Sequence, residues 1–240
     1  MRNIKNFNSF SINEERTIKL IEELNDYIID EVNEGAKDWF KKIGEFFEKI
    51  NDSIRNLMLT MLEKGYKSID LLKSFFSKIL NKIKSFKDKY PVVYRTTIIT
   101  LILIVLAFIL CSASSSPNNR PPEMVINAAI GLLREIKDHG SSDVSDSVLM
   151  RAQAYLFELK KTGNELNVGE EAVKAAKSAI QIIQQDVQEY KLSTEKKPED
   201  AEYLLKLAEK GAKLVSYKIT EYSDKIDNSY SGENISLGYK

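Results

Sequence analysis

The sequence predicts an all-α chain in three parts: an N-terminal amphipathic helical region, one transmembrane helix and a C-terminal antiparallel four-helix bundle. Three observations predict it. Gly (10) and Pro (5) are scarce among 240 residues, which disfavours a turn-rich β fold. Apolar residues recur in steps of three and four on both sides of the middle of the chain. Between them, TTIITLILIVLAFILCSASSS over 96–116 carries no charge, and about 20 such residues cross a hydrocarbon core of roughly 30 Å. The expected domains are 1–92, a membrane segment 93–116, a linker 117–122, the bundle 123–227 and a polar, disordered tail 228–240.

The N-terminal region, expected to be cytoplasmic, reads as three helices. The first covers about 11–33. Ser11 with Glu14 forms a capping box, Ile18, Ile21, Leu24, Ile28 and Val32 make its stripe, and its other faces are acidic. The second covers about 36–62, with Trp39, Ile43, Phe46, Ile50, Ile54, Leu57 and Met61 in line. The third covers about 67–90. Ile69, Leu72, Phe76, Ile79, Ile83, Phe86 and Tyr90 alternate in steps of three and four, the spacing of a coiled-coil seam able to self-associate. Its polar face is basic, with Lys67, Lys73, Lys78, Lys82, Lys84, Lys87 and Lys89. Two arrangements compete. The acidic first helix packs with the basic third in a bundle, or the aromatic and Lys-rich helices lie on the bilayer surface. The membrane-surface residues of the second arrangement are Trp39, Phe46, Phe76, Lys78, Lys82, Lys84, Lys87 and Lys89.

Pro91 marks a break before the span. The span is expected to be lined by Ile98, Leu101, Ile104, Leu106, Phe108 and Leu110, and Thr96, Thr97 and Thr100 can return their hydroxyls to the helix backbone. A cleaved leader is excluded by the length of chain before it, and Phe108-Ile109-Leu110 before Cys111 is a poor lipid-attachment sequence. Lys78, Lys82, Lys84, Lys87, Lys89 and Arg95, opposed by Asp88 alone, precede the span, whereas the chain beyond it carries Arg120 alone before Glu123. The positive-inside rule then places the N-terminus in the cytoplasm and the C-terminus outside or in a lumen, where Asn234-Ile235-Ser236 would be a glycosylation sequon.

Beyond the span, SASSSPNNRPP reads as an extended stalk. Four helices follow, at about 123–137, 143–161, 170–190 and 199–226. Their apolar faces include Val125, Ala129, Leu132, Leu133 and Ile136; Leu149, Ala152, Leu156 and Leu159; Val173, Ala176, Ile180, Ile183 and Val187; and Leu204, Leu207, Ala208, Ala212, Val215 and Ile219. Short loops favour antiparallel packing of these four on one another. Ala172, Ala176 and Ala179 carry a trace of a tetratricopeptide second helix, but no 34-residue period recurs.

Chemistry-bearing patterns are missing from the sequence. There is no Gly-rich phosphate loop, nucleophile elbow or zinc-binding helix motif. One Cys, Cys111, and one His, His139, supply neither an intramolecular disulfide nor a four-ligand zinc site. His139 beside Gly140 suits a helix C-terminus, and Glu170 with Glu171 suits a helix start. The 35 basic and 35 acidic residues cancel, against a nucleic-acid partner. The expectation is a non-enzymatic, single-pass membrane-anchored interaction or scaffold protein without cofactor, metal, catalytic residue or small-molecule substrate. Its partners would be the lipid bilayer, one or more proteins of unknown identity and further copies of itself. The bias toward Lys, Ile and Asn suggests an AT-rich genome, as in a viral or phage membrane component. The alternative is a pore-forming or bilayer-remodelling protein acting through the amphipathic helices of 36–90.

Overall fold

The computed structural model describes residue 41 and residues 66–236, save 117, 141–142 and 163–166. The helices expected over 11–33 and 36–62, with Trp39 and Phe46, lie outside the described residues. The described residues form six α-helices and no strand: α1 (Tyr66–Lys84), α2 (Pro91–Ser114), α3 (Glu123–Gly140), α4 (Asp143–Thr162), α5 (Val168–Leu192) and α6 (Ala201–Ser236).

Local chemistry sets most of the boundaries. The backbone leaves α1 after Lys84 in a turn, in which Phe86 N donates to Ile83 O at 2.9 Å and Ser85 Oγ to Lys82 O at 2.6 Å. The helix therefore stops six residues short of the expected end at Tyr90. Pro91 occupies the first turn of α2, where its fixed φ suits a helix and its missing N–H has no partner to lose. The segment after α2 is folded into turns instead of the expected extended stalk. Ser116 N donates to Ala113 O and Asn119 N to Ser116 O, each at 3.0 Å. Asn119 takes a left-handed φ of 52°, which Asn tolerates better than most residues. Asn167 caps α5 by accepting from Glu170 N at 3.0 Å, so that helix begins two residues ahead of its expected start. The last helix carries on past Asn228, into the stretch expected to be a disordered tail. A helix already packed as far as Ile226 extends without a new nucleation step.

Long-range contacts set the directions. Lys73 lies beside Gly131, Ser77 hydrogen-bonds Glu135, and Leu80 meets Gly140, so α1 and α3 run parallel. Tyr94 reaches the last residue of α3 and Arg95 reaches Asp186 near the end of α5, so α2 is antiparallel to both. Tyr90 bonds Asp200 at the start of α6, so α6 descends alongside α2 and is its most extensive neighbour.

The apolar faces of α3, α4, α5 and α6 are buried, as the sequence spacing predicts. What they are buried against differs from the expected four-helix bundle. Each of the four packs on α2, and consecutive members pack side by side around it. The physical reason is that α2 has no polar face, so it satisfies an apolar stripe from any direction. Phe76, Ile79 and Ile83 of the α1 seam are likewise fully buried within the chain, where α1 covers α3 and part of α2.

Two glycines give opposite expectations. A Cβ on Gly169 would lie 2.5 Å from Ser223 Oγ and 3.3 Å from Ser223 Cα, so Gly169→Ala should force α5 and α6 apart and cost about 1–3 kcal/mol. A Cβ on Gly131 would meet only the mobile end of Lys73, at 3.0 Å from Cε. Gly131→Ala should therefore stabilise by about 0.5–1 kcal/mol through helix propensity. Urea unfolding followed by circular dichroism separates the two.

Candidate functional site

The feature that stands apart is α2. It has 24 residues, about 36 Å at 1.5 Å per residue, and is long and apolar enough to cross a membrane. Every one of Ile98, Leu101, Leu106 and Leu110 is fully buried, with Phe108 at 2% and Ile104 at 3% exposure. Cys111 is buried there too.

Polar groups along α2 are largely served by its own backbone. Thr97 Oγ1 donates to Val93 O at 2.9 Å, Thr100 Oγ1 to Thr96 O at 2.7 Å and Ser114 Oγ to Cys111 O at 3.0 Å. Thr96 Oγ1 and Ser112 Oγ have no hydrogen-bond partner among the described residues. The helix therefore takes most of its hydrogen bonding with it into any apolar surrounding.

The side-chain ties from α2 to its neighbours gather at its N-terminal end. Tyr90, just before the helix, donates its phenol to Asp200 Oδ1 at 2.7 Å. Tyr94 donates to Gly140 O at 2.6 Å. Arg95 Nη2 sits 2.9 Å from Asp186 Oδ1. One turn of α2 is thus clasped to α3, to α5 and to the start of α6. Lys89 Nζ stands 5.1 Å from the Tyr90 ring centroid and Lys87 Nζ 5.8 Å from that of Tyr94, within cation–π range.

The Arg95–Asp186 pair is only partly satisfied. Its side chains are 26% and 8% exposed, respectively, and Arg95 Nε and Asp186 Oδ2 find no hydrogen-bond partner among the described residues. Burial pushes the Asp186 carboxyl above its ordinary value; Arg95 opposes that shift and Glu189 adds to it. Sequence reasoning used Arg95 only as a flanking charge and passed over Asp186. A signal was present, because Ala172, Ala176, Ala179, Ile183 and Asp186 are all buried at steps of four and three, which puts a carboxylate on an apolar stripe.

The other residues singled out in the sequence divide in two. Phe76 is buried, Lys78 and Lys82 are half-buried, and Lys84, Lys87 and Lys89 are exposed around the corner between α1 and α2. Glu170 and Glu171 both pair with Lys174, at 2.8 and 2.9 Å, on the surface of α5. His139, in the last turn of α3, contacts Glu135 at 3.3 Å, and Ser77 donates to the same carboxylate. This order puts the carboxylate between hydroxyl and imidazole, whereas nucleophile activation requires the imidazole to take the hydroxyl proton. Among the described residues no group of three or more His, Cys, Asp or Glu is gathered to hold a metal ion.

Comparison with protein-family models, curated proteins and solved structures returns no match.

Asp186→Ala should cost about 1–3 kcal/mol, below the full value for a buried pair because Arg95 is partly hydrated. Arg95→Met with Asp186→Leu should recover most of it, and a double-mutant cycle measures the coupling. The pH dependence has a fixed sign. A carboxyl with a raised folded pKa binds its proton more tightly in the folded chain, so its contribution is greatest at acid pH and declines as pH rises through the raised value. Asp186→Asn should flatten that part of a stability–pH curve.

Proposed function

We propose that this chain is a membrane-inserting helical protein, in which α2 is stored inside a sheath of amphipathic helices and released into a bilayer as a single span. The carrying observation is the burial of every residue over 96–113 in a spanning-length helix that has no polar face there. Either surrounding hides α2 from water, so exchanging one for the other keeps most of the hydrophobic stabilisation. The sheath helices suit the second half of the exchange, because amphipathic helices can transfer an apolar face from α2 to the membrane interface. The chain acts without catalysis, its lipid partner is the bilayer, and any protein partner engages the sheath.

A second function has support from the charges flanking α2. Lys78, Lys82, Lys84, Lys87, Lys89 and Arg95 against Asp88 favour a permanent single-pass anchor with a cytoplasmic N-terminus. In that case the chain is a membrane-held interaction or scaffold protein of viral or phage type.

The test uses Phe108→Trp in a Trp39→Phe background. On mixing the water-soluble chain with vesicles, tryptophan emission should shift to the blue and be quenched by bromine placed deep in the acyl chains. Emission indifferent to brominated lipid would remove insertion. A chain recovered from cells only in detergent, never as an aqueous monomer, would favour the permanent anchor.

A further inference from the structure

The clasp at the start of α2 poses a question of what opens it. A competitor for Arg95 can open it, and the two partners are unequally reachable. The Arg95 side chain is 26% exposed and that of Asp186 8%, so an anion can approach the guanidinium while a cation is kept from the carboxylate. A phosphate can take two parallel N–H donors from one guanidinium, which the single 2.9 Å contact to Asp186 does not use.

The surroundings select the source of that phosphate. Lys84, Lys87 and Lys89 are exposed beside the clasp, with half-buried Lys82 behind them and Asp88 as the single acid between Lys78 and Arg95. Lys87 and Lys89 lie against the rings of Tyr94 and Tyr90, the residues that hold the clasp. Pro91 is exposed at the same corner, and Leu192, which ends the helix bearing Asp186, is 75% exposed. Cations interleaved with exposed apolar groups fit a bilayer with anionic headgroups better than a soluble polyanion. Arg95 is also positioned for this exchange after insertion, since an arginine at the end of a span sits at headgroup level.

We infer that the corner between α1 and α2 docks on anionic phospholipid, and that a lipid phosphate takes Arg95 from Asp186 and so frees the first turn of α2. This rests on the proposed insertion of α2. Docking precedes release: the lysines hold the surface, and Arg95 exchanges a carboxylate for a phosphate oxygen with no change in protonation.

The experiment mixes the full chain, carrying Phe108→Trp and Trp39→Phe, with phosphatidylcholine vesicles with or without phosphatidylglycerol. Co-sedimentation reads docking and quenching by brominated acyl chains reads insertion. Both should require phosphatidylglycerol and weaken with added salt. Lys84→Gln, Lys87→Gln and Lys89→Gln together, all at exposed sites, should weaken docking roughly hundredfold, at about fivefold per lysine, with helix content unchanged. Asp186→Ala, which leaves Arg95 without its carboxylate partner, should allow insertion into vesicles lacking phosphatidylglycerol. Equal insertion into both vesicle types by the parent chain would overturn the exchange and leave α2 insertion standing. Docking on anionic vesicles without quenching would overturn both. Opening of α2 to hydrogen exchange by inorganic phosphate alone, or binding to a soluble polyanion but not to vesicles, would overturn the assignment to lipid.

Discussion

Water offers α2 no face on which to rest. Its 24 residues run from Pro91 to Ser114 without a polar side, and the arrangement of the other described helices follows from that. A helix with one apolar stripe can lie on a surface. A helix apolar all round must be surrounded, by protein or by lipid. The sheath of α3 to α6 supplies protein on each flank, and α1 closes over α3 beside it. Small side chains let the sheath close tightly: Ala172, Ala176 and Ala179 are buried along α5, and Gly169 brings that helix against Ser223 of α6.

The same constraint separates strength from specificity. Apolar contact along 96–113 is non-directional and would tolerate sliding or rotation of α2 among its neighbours. Direction comes from the clasp, where Tyr90, Tyr94 and Arg95 fix one end of α2 to Asp200, Gly140 and Asp186. Far from the clasp, Arg120 donates to Leu159 O at 2.6 Å and Lys160 to Asn127 at 2.9 Å. Those bonds tie the chain after α2 and the start of α3 to α4. A molecule held in this way can lose its directional contacts at one end without unfolding its helices.

Much of the helical organisation was legible from spacing. Phe76, Ile79 and Ile83, or Ile183 and Val187, lie on the buried faces that steps of three and four assign to them. Pro91 and Asn167 bound their helices through backbone chemistry that is local. The partner of each face was not legible. A stripe such as Leu149, Ala152, Leu156 and Leu159 states that it is buried, not whether another amphipathic helix or α2 covers it. The apolar run itself is ambiguous for the same reason, because composition describes what a segment avoids and leaves open what encloses it. The clasp was legible in part. Asp186 announces itself by falling on an apolar stripe, whereas its pairing with Arg95 spans 91 positions of sequence and exists only once α2 and α5 are antiparallel.

The central claim is that α2 exchanges one apolar enclosure for another while the sheath gives up its core. Hydrogen–deuterium exchange, read along the chain in water and then with anionic vesicles, addresses this directly. In water, the amides of 96–113 should be the slowest to exchange, with those facing α2 from α3 to α6 close behind. With vesicles, the 96–113 amides should stay protected while the sheath amides exchange much faster. Sheath protection unchanged by vesicles would contradict the account and leave α2 as the permanent core of a water-soluble fold.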